Sequence, residues 1–442
     1  MKADLSRDTF EATRHFLRVL SQQGRVYVDA DANEQTSILL HHLHTVSRDL
    51  IGDHGGPEDA LGFTLTLGGG DLLIGPGRYY VDGILCEVEP PPEPEEGAAP
   101  AGISYFEQPD YPVDRDDELP TRTFLAYLDV WERHVTAIDD GHIREVALGG
   151  PDTATRSQVV WQVKIAVDGP DGKPLNVETR AELEKIWPAL VKYFRPDSGT
   201  LAAGTADPVD ETDPCITPPA AGFRGPENQL YRVEIVTPGP AGDATFVWSR
   251  ENGSVLSGWD QQGNRLTLAD PGRDRKLGFE PGHWVELTDD VHELTGEPGT
   301  FARVTRVEAD VLTVDADTAT GPLDPATFPS NPKLRRWDSE GLQRVEVPTV
   351  GDGWVPLEDG VRVRFSTGAV YRTGDYWLIP ARVLGGIEWP VVGNVPIQRQ
   401  PHGVAHHFAP LGLFVAGGGA GPAGGLTLVD CRYQLPAAAK PV

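Results

Sequence analysis

The chain is predicted to be mainly β, with a short N-terminal α-helical segment and antiparallel sheets that include at least one small barrel or sandwich. Three observations predict this class. Short runs of alternating apolar and polar residues recur through most of the 442 residues, and Gly (50) and Pro (39) are frequent enough to punctuate the gaps. Asp82-Gly83 lies between two such runs and is a two-residue hairpin signal. Only near the N-terminus do apolar residues fall three to four apart over a long stretch.

That N-terminal stretch reads as a helical pair over residues 1–55. Asp8 can cap a first helix carrying Phe10, Phe16, Leu17 and Leu20, and Gly24 has the backbone freedom to end it. Arg25 to Asp29 then alternates as a short extended linker. Asp31 followed by Glu34 predicts a capping box for a second helix, with Ile38, Leu39, Leu43, Val46 and Leu50 on one stripe before Gly52. Asp29, Asp31 and Asn33 also imitate the start of a calcium loop. Such a loop needs Gly at its sixth position and a bidentate Glu at its twelfth, where this chain has Glu34 and Leu40. Capping and a polar linker are therefore expected, and no metal.

The run from Gln22 to Gln35 resembles the N-terminus of a family typically reading QQGRV-x-LDADWNEQ, associated with bacterial contractile injection systems and phage-tail-like particles. Ala32 stands where that pattern has Trp. The stretches 132–153, 228–235 and 248–255 are similar to the same family. The resemblance implies a structural or attachment component of the baseplate, spike or fibre region. Its partners would be other particle subunits, and a trimer would be the favoured homo-oligomer. The segment 8–52 is then the expected docking element. Phe16, Leu39 and Leu43 would supply apolar contact, while Arg25, Asp29, Asp31 and Glu34 fix register. The alternative is that the helical pair only covers the chain's own sheet.

Farther on, strands are expected at 63–67, 72–74, 78–81 and 84–88, then at 123–131 and 158–165. These form an antiparallel region, 56–170, interrupted by a Pro- and acid-rich connector at 90–120. Residues 171–222 read as an insertion with a helix near Thr179 to Trp187 and a loose tract from Ala202 to Ala221. Six short runs between 229 and 314 predict a barrel or sandwich over 223–325. Further strands at 361–365, 374–382, 411–415 and 426–432 fill a C-terminal region, 326–442, with a Gly/Ala hairpin tip at 417–425.

With 38 basic against 66 acidic residues the formal charge is −28, which argues against nucleic acid and anionic lipid as partners. The pair Arg335-Arg336 is no basic patch, and a solvated surface or a local ion pair explains it better. Three widely spaced cysteines, Cys86, Cys215 and Cys431, fit neither a disulfide framework nor a metal knuckle. No leader pattern and no eighteen-residue apolar run is present, so no membrane insertion is expected. Synthesis in the cytoplasm is expected, with the chain possible in a released, extracellular particle.

Reactive constellations are few. His402, His406 and His407 invite a zinc reading, but Pro401 and Gly403 disfavour a helix, and a strand would part His406 from His407. Asp289, Asp290, Glu293 and Glu297 form a local acidic cluster, read as a solvated loop. No G-x-S-x-G elbow or thiol-protease motif is found, and Asn252-Gly253-Ser254 reads as a turn. The expectation is a non-enzymatic component without cofactor. The alternatives are a carbohydrate or cell-surface binding module using exposed tryptophans, and a hydrolase with a dispersed carboxylate site.

Overall fold

In a computed structural model the described residues are 1–90, 102–113, 118–205, 222–262, 265–272, 277–345, 353–417 and 425–435. Most of the 90–120 connector's Pro/Glu run, Cys215 with the loose tract from 206 onward, and the core of the Gly/Ala tip lie outside them.

The sheets form where alternation predicts them. Asp82 and Gly83, both at positive φ, turn Gly77–Val81 back onto Ile84–Val88. Phe124–Val135 pairs along its whole length with Arg156–Ala166, and on its other edge with His406–Ala416. Its residues are buried almost without interruption because both faces of this sheet are covered. Phe124, Ala126, Leu128 and Val130 join one core with Phe63, Tyr79 and Trp161, while Leu125 and Tyr127 join another with Leu183 and Leu190. The second core is closed by a helix, Arg180–Phe194. Its start has a capping box between Thr179 and Glu182, and it runs through Pro188 rather than ending there.

A second sheet is built on Gln229–Ile235, flanked by Thr245–Ser249 and Tyr376–Arg382, over a core of Tyr231, Phe246, Phe365 and Trp377. The barrel is a closed six-stranded one, in the order Leu256–Gln262, Arg265–Leu268, Val311–Asp315, Thr300–Glu308, Trp284–Thr288 and Lys333–Trp337. It is filled by Leu266, Val285, Leu287, Val304, Leu312 and Leu334. Two expected boundaries therefore move. The strands at 229–235 and 245–249 leave the barrel for the second sheet, and the barrel continues past 325 to Trp337. The regions are also not serial, since residues 406–430 return to complete the first sheet.

The helical pair is corrected to one helix. Residues preceding Asp29 hold only a 3-10 turn, Ala12–Arg14, closed by His15 at φ 54°. Asp8 accepts from Phe10 N in a local turn at 3.2 Å and starts no helix. Phe16, Leu17 and Leu20 find no core to cover, and a short helix without a buried face is marginal in water. The surviving helix, α1, spans Asp29–Ile51. It begins three residues earlier than expected, with Val28 at the N-cap and no side-chain cap, so Asp31 is a first-turn residue and closes no capping box.

Candidate functional site

Of the 23 residues of α1 only Ala30 and Ile38 are buried. The inward face is held at its C-terminal end. Arg48 Nε lies 2.9 Å from Asp82 Oδ1, and Gly83 abuts the His44 carbonyl so closely that a Cβ would collide with it. The remaining apolar residues point away. Leu39, Leu43, Val46 and Leu50 are 59%, 60%, 53% and 78% exposed, and Leu40 is exposed beside them. The predicted stripe thus splits, with Ile38 turned to the protein and the other four to solvent.

The segment preceding α1 folds back along it. Asp29 Oδ2 accepts from Ser6 N at 2.8 Å, Glu34 Oε2 accepts from Thr9 Oγ1 at 2.6 Å, and Gln35 Oε1 accepts from Val19 N at 2.9 Å. Partial burial would raise the Asp29 pKa, but the bonds from Ser6 hold it below the ordinary carboxylate range. Asp29 and Glu34 are thus taken up by the chain's own arm. Asp31 is half-buried and Arg25 exposed. Phe16, Leu17, Leu20, Val26 and Tyr27 are all more than half exposed. With α1 they make an apolar surface beside which Phe10 packs on His41, with ring centroids 5.6 Å apart. Sequence reading missed Val26 and Tyr27 as part of it, because alternation implied that one face of 25–29 is covered.

The body below contains a cavity of about 420 Å³ where the first sheet, the second sheet and the barrel meet. Its wall holds a buried ion cluster. A short helix, α3 (Asp290–Thr295, following α2 at Arg180–Phe194), is capped by Asp289 and presents Asp290 and Glu293. Lys333 Nζ, 1% exposed, lies 2.7 Å from Asp290 Oδ1 and 2.6 Å from Glu293 Oε2, and also pairs with Asp139. Arg133 Nη2 reaches Asp290 at 2.5 Å and Asp139 at 3.2 Å, and Arg335 reaches Glu293 at 3.5 Å. Burial alone would raise the acids, yet the Lys333 ammonium holds both Asp139 and Glu293 below their ordinary range. Asp139, Asp290 and Glu293 are close enough to share a metal ion. The position between them is taken by the Lys333 ammonium, so three cations balance three carboxylates and the group acts as a clamp.

This corrects the solvated-loop reading of the acidic run, in which only Glu297 stays exposed. Lys333 and Arg335, at alternate positions of one strand, were the available signal, since they place two cations on the same face. Arg335 and Arg336 are buried, which corrects the solvated-surface reading; Arg336 pairs with Asp338 at 3.5 Å and with the distant Glu251 at 2.5 Å. His406 Nδ1 pairs with Asp129 and His407 Nδ1 with Asp82, both at 2.7 Å, on opposite faces of their strand. With His402 elsewhere, bonded through Nδ1 to Leu378 N, the three histidines do not converge. None of the ten tryptophans is fully exposed: seven are buried, and Trp187, Trp284 and Trp354 are half-buried. Met1 and Ala3 are seated in the body, their carbonyls accepting from the Asn252 side chain at 3.1 and 2.8 Å. No helix among the described residues is long and apolar enough to cross a membrane.

No curated protein and no solved structure matches the chain. A family model does, over residues 1–190 and 185–439, and the chain belongs to that family of unknown function, DUF6519.

Proposed function

Starting from membership of a family of unknown function, we propose that this chain is a non-enzymatic structural component of a contractile, phage-tail-like particle. It is fastened to neighbouring subunits by its N-terminal arm and α1. The particle comes from the resemblance of residues 22–35. The docking role rests on one observation: eleven large apolar side chains between Phe16 and Leu50 are each more than 40% exposed on one continuous segment. Soluble single chains do not usually keep so large an apolar surface open. In this reading the body, whose sheets and barrel are joined by the ion clamp, carries the segment as a scaffold.

The test is co-purification with subunits encoded beside this chain, comparing wild type with Phe16→Asp/Leu20→Asp. Loss of two apolar anchors should weaken retention at least about tenfold, with the far-UV spectrum unchanged. Equal retention by both proteins, or none by wild type, would count against the docking role. Deletion of residues 1–52 is a poorer test, because it also removes Met1 and Ala3 from the body.

A further inference from the structure

We infer that the outward face of α1 pairs with the same face of further copies of this chain. The inference rests on the reading of α1 as a docking element and names its occupant. Leu39, Leu43, Val46 and Leu50 are spaced four, three and four apart, the interval of a coiled-coil seam. In that frame Leu43 and Leu50 take a positions, and Leu39 and Val46 take d positions. The residues that hold α1 to the body, Ile38, His44 and Arg48, all fall on the opposite side. The seam is therefore turned outward by contacts on the helix's own back, and the two periodicities do not compete.

Charge selects a copy over a different partner. The chain carries −28, so copies repel over most of their surface. Between Gln35 and Ile51, however, Arg48 and Asp49 are the only residues of fixed charge, and Arg48 is committed to Asp53 and Asp82. The positions flanking the seam are Leu40, His42, Ser47 and Asp49. The seam is thus the stretch where like chains can meet with little repulsion, and it offers no charge for a basic or acidic partner to read. The exposed seam with Leu40 amounts to on the order of 500 Å² per copy, against the ~800 Å² per partner of a typical interface. A bundle of three, in which each seam faces two neighbours, uses that area better than a pair. Leu at a with β-branched Val46 at d also departs from the two-stranded pattern.

The experiment is solution mass of the full chain by light scattering over a wide concentration range, with Leu43→Glu/Val46→Glu beside it. Both substituted positions are exposed in the single chain, so amide protection of the core strands 124–135 and 156–166 should not change and serves as the control. Wild type is expected as a discrete oligomer, three copies by the area argument, and the variant as a monomer at the same concentrations. A monomeric wild type, or an oligomer that the variant leaves intact, overturns the inference. Retention of particle subunits, measured on the same two proteins, separates it from the docking reading. Copies that pair but retain no subunit sink the particle assignment and leave the pairing standing. A monomer that retains subunits through Leu39 to Leu50 does the reverse.

Discussion

Lys333 is the residue on which the junction depends. It is buried among Asp139, Asp290 and Glu293, and removing it leaves three carboxylates with fewer cations in a water-poor site. Lys333→Met should cost about 3–5 kcal/mol, read from the urea midpoint, because an unpaired buried charge is worse than none. Glu234 points to the acid limit. Burial opposes its ionisation, but Arg232 and Lys2 bring its pKa from 4.5 down to about 2. Between those values the unfolded state binds more protons than the folded one, so stability present above pH 4.5 is lost as pH falls toward 2. His134 works in a neighbouring window. Burial first, and then the Met1 ammonium and Arg335, lower it from 6.5 to about 3, with Asp139 and Glu293 pulling the other way. The fold holds it neutral, so stability falls as pH drops below 6.5 toward 3. His134→Asn should flatten the profile between pH 6.5 and 4.5 by up to ~1.4 kcal/mol per pH unit, measured by chemical unfolding at stepped pH. None of this cluster was legible as a unit, because its members come from residues 133, 139, 290, 293 and 333. Only folding brings them together.

Elements were more legible than their ends. Alternation located the long strands of the first and second sheets, since a strand with one or two buried faces must place its side chains that way, but it missed the barrel strands Leu256–Gln262 and Lys333–Trp337 and the strand Leu201–Thr205, most of which lies in the tract read as loose. The Asp82-Gly83 turn was explicit in two residues. The same reasoning put a helix on residues 8–24, where apolar spacing is helical but the chain has nothing to pack that spacing against. Periodicity reports which face could be buried, and tertiary structure decides whether it is. α1 keeps its helix although its stripe is open, because it is 23 residues long and pinned at Arg48 and Gly83. Gly83 has φ of 84° and no room for a Cβ against His44. Gly83→Ala should therefore loosen α1 by about 1–3 kcal/mol. Amide exchange should speed up over residues 44–51, while the core strands 124–135 and 156–166 keep their protection. Uniform loss of protection would mean that α1 is part of the global folding unit.

At the scale of the whole molecule, the sequence-based division into serial regions failed for a topological reason. Strand identity is local, whereas strand partnership is not, and Phe124–Val135 pairs with a strand almost three hundred residues away. The body that results pairs its buried charges and is covered on both faces of its first sheet. The N-terminal segment has the opposite character, open and apolar, and this contrast is what the proposed role explains. The most direct test is amide exchange of the N-terminal segment in the free chain and after mixing with the particle subunits encoded beside it. Docking predicts a stable co-complex in which residues 16–28 gain protection, while the body and the face of α1 that pairs with copies stay as they were. A co-complex that protects only other surfaces, or no co-complex at all, would contradict it.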